Sequence, residues 1–155
     1  MDNYVLDFYR QLLVSLNRGN VKGVASNAKP IFVLSLIDFI PYTEKNLFTI
    51  DDKILNNIYK KNIDVYSTRH TTPIRLPYFH LQTEPFYQLI WRSRNVSIRA
   101  SESPSIKRIN ETIIGAKLDD ELWELLQVPE NREYLRNCII NQYLSYKNTD
   151  DGNYI

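Results

Sequence analysis

The sequence predicts a single α+β domain, mostly helical around a small hairpin-based sheet, and three observations carry that prediction. Apolar residues recur at helical spacing near both ends of the chain, over positions 5–16 and again over 120–146. An almost unbroken apolar stretch, Ile31 to Ile40, follows Lys29-Pro30 and suits one helix buried nearly all round. Between these regions, Tyr78 to Gln82 and Pro85 to Trp91 are rich in aromatic residues and separated by Thr83-Glu84, the pattern of a hairpin. With 155 residues, 43% of them apolar, the chain suits one core, because a chain of this size buries about two thirds of its unfolded surface. Positions 1–147 are the expected domain and 148–155 a polar tail.

Taken in order, Asp2 or Asn3 caps a first helix through Val5, Leu6, Phe8, Tyr9, Leu12, Leu13 and Leu16, ending near Arg18-Gly19. Asn20 to Asn27 holds Gly23 and polar breakers and reads as a loop. Ser26 or Asn27 then caps the apolar helix, which takes Pro30 in its first turn, where no N–H is needed, and stops at Pro41. Leu47 to Ile50 reads as a short strand. Asp51-Asp52 cap a third helix that reaches about Asn62 through Ile54, Leu55, Ile58 and Tyr59. Tyr66 to Arg75 is an irregular basic loop leading to Leu76-Pro77 and the hairpin. Arg92 to Pro104 is polar, with Val96 and Ile98 alternating as in a third strand. The chain closes with helices over Ile106 to Gly115, over Asp120 to Gln127 with Asp119 as cap, and from Pro129 to about Tyr146. Tyr9, Tyr59, Tyr134, Tyr143 and Trp123 fall at core positions, and Cys138 reads as an inert core thiol.

Several function classes find no support. No run of roughly 18 apolar residues is present, so no membrane span is expected. The start lacks the basic flank and cleavage site of a signal peptide, and one cysteine cannot form an internal disulfide; a cytoplasmic protein is expected. His70 and His80 are the only histidines, and with Cys138 they match no zinc spacing and no HNH nuclease centre. Asp38 with Asp51-Asp52-Lys53 resembles the acidic motif of metal-dependent nucleases, but helix capping explains Asp51 and Asp52 better. Scattered glycines exclude a phosphate loop. No catalytic residue, metal or cofactor is expected.

Charge is more informative. Between positions 53 and 110 stand ten basic residues against three acidic ones, while the whole chain carries only +1, so a basic middle is flanked by acidic ends. Such a protein can turn one positive face to a nucleic acid. The loop from Tyr66 to Arg75, with Arg69, His70 and Arg75 among hydroxyl residues, has donors for phosphates and base edges. Lys29 is a cation at a helix N-terminus, where the dipole prefers anions, and so is placed to meet an arriving phosphate. Two blander accounts stay open: a solvated surface of scattered charge, and a protein-interaction adaptor that uses the acidic helices over 119–133.

Three motifs now fall in order: Lys29-Pro30 before the apolar helix, Leu76-Pro77-Tyr78-Phe79-His80-Leu81, and Leu118-Asp119-Asp120-Glu121-Leu122-Trp123-Glu124-Leu125-Leu126. From about Tyr9 to Tyr143 the chain resembles the DNA sulfur-binding domain found in front of HNH restriction endonucleases. The resemblance implies a module that recognises phosphorothioated double-stranded DNA, the recognition component of a modification-dependent, type IV-like restriction system, with no cofactor. It also implies a cup of Leu76, Pro77 and His80 for the sulfur, with Arg99, Arg108 or Arg75 as the nearby donor. The family pattern has a tyrosine before the proline; Leu76 keeps the apolar surface and loses the phenol. His80 is equally readable as a satisfied strand histidine. Without a nuclease centre, the chain is expected to be a fragment, a free-standing subunit, or the partner of a separate nuclease. A reader of another modification, or of plain DNA, is the alternative within binding.

Overall fold

The computed structural model describes residues 3–18, 20–21, 24–67 and 71–144. Along them run α1 (Asn3–Leu13), β1 (Asn20–Val21), β2 (Val24–Ala25), α2 (Ala28–Phe39), α3 (Lys53–Tyr66), α4 (Arg75–His80), β3 (Tyr87–Trp91), α5 (Ile106–Thr112), β4 (Ile113–Leu118), α6 (Asp120–Leu125) and α7 (Pro129–Ile139). The architecture is the expected mostly helical α+β domain. Its principal sheet is the antiparallel pair β3–β4, widened by a bridge from Phe48 to Ala116. Among the described residues no helix is long and apolar enough to cross a membrane.

Helix α2 is the central element because it has almost no polar face to leave in water. Every residue from Pro30 to Ile37 is buried, and Phe39 with them. Phe32 meets the rings of Tyr59 in α3, Tyr78 in α4 and Tyr87 in β3 edge-on at about 6 Å, which locks three elements to one side chain. Beyond its first turn the helix has two polar side chains, and both are partnered. Ser35 donates to the Ile31 carbonyl and accepts from Asn62 of α3, and Asp38 takes Asn62 and the Arg136 guanidinium of α7 (2.8 Å). Pro41 ends the helix through a single 3-10 turn, Ile40–Tyr42.

Capping at α3 follows expectation in part. Asp52 accepts from the Leu55 amide (3.0 Å), whereas Asp51 instead accepts from Asn110 (2.9 Å). The helix passes Asn62 and continues to Tyr66, since Asn62 points into the core as a donor and Ile63 beyond it is buried. At α6 the expected cap fails: Asp119 makes no side-chain cap and receives the Tyr9 hydroxyl and Gln88 instead (both 3.0 Å). Helix α1 stops at Leu13, short of Arg18, and α7 gives way to a π-turn over Ile140–Leu144. Tyr134 is exposed and Cys138 only half-buried, so neither is the core residue its spacing suggested. The loop expected over 20–27 contains the short pair β1–β2. Asp2, Gly19, Gly23 and the polar tail lie outside the described residues.

The hairpin is where expectation and structure part. Residues 78–82 are helical, within α4 and the 3-10 turn after it (Leu81–Thr83), and β3 pairs with β4, Tyr87 opposite Leu118 and Leu89 opposite Ala116. Buried residues at 77, 78, 79 and 81 leave no alternation, so aromatic content rather than period produced the strand reading. The helix expected over 106–115 ends at Thr112, because the β-branched run Thr112-Ile113-Ile114 passes into β4. No strand forms over 92–104.

Gly115 allows the sheet to close. A Cβ there would stand 2.7 Å from a methyl of Leu47 and 3.2 Å from the Phe48 carbonyl. Gly115→Ala is therefore expected to destabilise the fold by about 1–3 kcal/mol in urea denaturation, an overpacking cost.

Candidate nucleic-acid interface

Helix α4 is short, and its sequence shows why it holds still. Pro77 sits in the first turn, where a residue without an N–H is no loss. Ile74, Tyr78, Phe79 and Leu81 are buried, and the Tyr78 hydroxyl donates to the Phe48 carbonyl (2.8 Å). With that side anchored, Leu76, Pro77 and His80 face a cavity of about 620 Å³. Its other walls are Asn17 and Arg18 after α1, Ser26, Ala28 and Lys29 at the start of α2, Thr72, and Thr83. The open surface inside is more carbon than polar. The structure thus brings Leu76, Pro77, His80 and Lys29 to one place.

Lys29 does not point its charge into open space. Its Nζ donates to the Asn17 carbonyl (2.6 Å) and Thr83 Oγ1 (2.9 Å) and lies 3.4 Å from Glu84 Oε2. Glu84 Oε2 also accepts the Asn17 amide (2.8 Å). The two charged side chains are 13% and 4% exposed, so this is a buried pair whose partners depend on each other. The Lys29 ammonium, expected to await a phosphate, is thus engaged within the protein at the cavity wall.

The cation that the sequence does not point to is Arg18. Its Nη1 donates to Asn27 Oδ1 (2.9 Å), and its guanidinium lies 4.9 Å from the centre of the Tyr143 ring. Tyr143 is itself fixed, donating to the Leu13 carbonyl and accepting the Leu16 amide. Arg18 lies outside the basic stretch over 53–110, and nothing local in the sequence links it to Tyr143 or to Pro77.

His80 borders the cavity as a half-buried ring with Nε2 3.4 Å from Ser103 Oγ. Burial lowers its pKa below the ordinary 6.5; a hydrogen bond with the Ala100 backbone opposes the shift, and the Lys29 charge adds to it. The ring is therefore neutral at pH 7 and offers surface and a polar edge rather than charge.

Three of the expected arginines gather beside it. Arg75 Nη1 donates to the Pro104 carbonyl (3.1 Å), and Arg99 and Arg108 both bind Glu102, whose carboxyl is held below its usual range by Arg108 first and Arg99 second. Arg92 is tied to the same part of the chain, its Nε donating to the Asn110 carbonyl of α5 (2.9 Å). Arg69 and His70 lie outside the described residues. As for the acidic motif, Asp38, Asp51 and Asp52 are each engaged with separate partners as described above, and among the described residues no three His, Cys, Asp or Glu side chains are placed to hold a metal ion.

Two outcomes are expected. Lys29→Ala leaves Glu84 buried without its cation and should lower stability by roughly 3–5 kcal/mol in a denaturant titration, with Lys29→Met, Glu84→Gln recovering part of the loss. For His80, the lowered folded pKa means the unfolded chain binds the proton more readily. Stability from this group is full above pH 6.5 and is lost as the pH falls below it, so a melting-temperature profile of His80→Gln should show a shallower acid decline than the parent.

Solved structures that share this fold include the following two. The sulfur binding domain of ScoMcrA complexed with phosphorothioated DNA matches with a TM-score of 0.66 at 13% identity, over 87% of this chain and 86% of that one. The type IV phosphorothioation-dependent restriction endonuclease ScoMcrA matches with a TM-score of 0.65 at 13% identity, over 87% of this chain and 29% of that one. At such identity the likeness is one of fold, and it is the fold that the sequence motifs implied. No family model and no curated protein matches the sequence.

Proposed function

We propose that this chain is a DNA-binding module that reads phosphorothioate-modified double-stranded DNA, the recognition part of a modification-dependent restriction system. The observation that carries this reading is the carbon-walled cavity built on Leu76 and Pro77, with Arg18 on its wall and with Arg75, Arg99 and Arg108 tied to the segment that meets His80 through Ser103. Sulfur is larger, softer and less strongly hydrated than oxygen. An apolar wall next to a cation favours it, because the sulfur loses little hydration on entry while the charge of the group stays compensated. An ordinary phosphate oxygen would leave stronger water contacts for the same wall. Support also comes from the shared fold with a domain solved on phosphorothioated DNA.

The geometry supports the following roles. Leu76, Pro77 and the neutral His80 ring form the cup, Arg18 is the cation facing the modified group, and Arg75, Arg99 and Arg108 meet backbone phosphates on either side. Arg69 and His70 are proposed for the same strand by their place in the sequence, shortly before Thr72 of the cavity wall. The engagement of Asp38, Asp51 and Asp52 in a half-buried ion pair, a side-chain hydrogen bond and a helix cap supports reading without cutting.

A mobility-shift titration at fixed salt tests the proposal. The expected result is tighter binding of a phosphorothioate duplex than of the same duplex unmodified; equal affinity across salt concentrations would remove the sulfur reading and leave general DNA binding. Leu76→Gln should reduce that preference about three- to tenfold by wetting the cup. Arg75→Ala should weaken both duplexes alike and flatten the salt slope by about one unit for each phosphate left without its cation.

A further inference from the structure

We infer that Glu102 is a built-in substitute for a DNA phosphate, which holds Arg99 and Arg108 ready in the free protein and yields them when the backbone arrives. The inference rests on the DNA-binding reading above. Each oxygen of the carboxylate takes one guanidinium, Oε1 from Arg108 Nη1 at 2.9 Å and Oε2 from Arg99 Nε at 3.3 Å. A phosphate presents the same arrangement, two adjacent oxygens that each accept a fork donor. One anion therefore replaces the other without any rearrangement of the arginines.

The backbone that carries the three side chains is fixed independently of this ion pairing. The Glu102 amide donates to the Arg99 carbonyl (2.9 Å), and the Arg108 amide in the first turn of α5 is capped by Ser105 Oγ (3.2 Å). Removing the carboxylate therefore leaves the fold its supports. Arg99 is 84% and Arg108 48% exposed, and the half-buried Glu102 is still 33% exposed, so the cluster is weakly held and exchanges readily. The position is also meaningful. Ser103, the next residue, touches His80 at the cavity, and the Pro104 carbonyl takes Arg75, so the segment borders the cup on the His80 side. Backbone flanking a group seated in the cup would pass over it.

Such a carboxylate keeps affinity for ordinary DNA low, because two cations near the site are already neutralised, and leaves net binding dependent on what the cup contributes. Fluorescence anisotropy with a labelled duplex, phosphorothioated or plain, over a series of salt concentrations tests this with the full chain. Glu102→Gln is expected to bind both duplexes about three- to tenfold more tightly at low salt, with a salt slope steeper by about one unit and an unchanged melting temperature. The gain should be equal for the two duplexes, since the sulfur occupies the cup and not the arginines, and it should vanish in Glu102→Gln, Arg99→Ala, Arg108→Ala. Unchanged binding in Glu102→Gln overturns the inference, and weaker binding overturns it too, showing that the carboxylate only positions the arginines. Failure of the parent protein to bind either duplex is a separate result, which removes the DNA reading itself.

Discussion

The Lys29–Glu84 pair is the interaction on which the rest of the site depends. Three stretches that are remote in sequence meet at it: the chain leaving α1 at Asn17, the first turn of α2, and the turn that leads from α4 to β3. Both charges are almost wholly removed from water, so each has meaning only with the other in place. A pair of this kind adds little net stability compared with apolar residues of the same size, but its loss on one side would leave the other charge buried alone, and it ties the three stretches together. That arrangement frames the cavity, because Asn17, Lys29 and Thr83 are among its walls.

Around this frame the chemistry is divided between neutral surface and positive charge. The cup side is apolar or neutral: Leu76, Pro77, Ala28 and a His80 ring whose burial keeps the proton off. Positive charge is set close by in forms that water does not fully claim, Arg18 over the Tyr143 ring and Arg75 on a carbonyl. A soft, weakly hydrated anion gains from both parts, and a hard one chiefly from the second. Two acidic side chains outside the basic stretch have partners elsewhere, Asp119 with Tyr9 and Gln88 and Asp38 with Arg136.

How far the sequence is legible varies with the range of the interaction involved. Helix α2 is legible because eight successive buried residues leave a pattern that nothing else produces. The Asp52 cap is legible because its partner is three residues away. The α4 segment reads wrongly as a strand: its aromatic residues carry strand propensity, yet they are buried by the ring of Phe32, by the Phe48 carbonyl and by β3, none of which its own pattern encodes. The true partner of β3 lies beyond a long irregular stretch, and Gly115, which has the look of a helix end, is the place where Leu47 and Phe48 come close.

From the sequence alone came the fold class, the central helix and the motif order, with Leu76, Pro77 and His80 as candidates for one cup and Lys29 as a candidate apart from them. These rest on composition, on periodicity and on motifs in a fixed order, all of which survive without coordinates. Their surroundings were set only by the tertiary structure. It turned the Lys29 ammonium inward to Glu84, put Arg18 on the cavity wall through a ring at the opposite end of the chain, and set Glu102 between two arginines that the sequence leaves as free charges. The physical reason is the same in each case. A charged side chain takes its role from the partner and the solvent around its last few atoms, and those are fixed by which distant segments pack together rather than by the residues beside it in sequence.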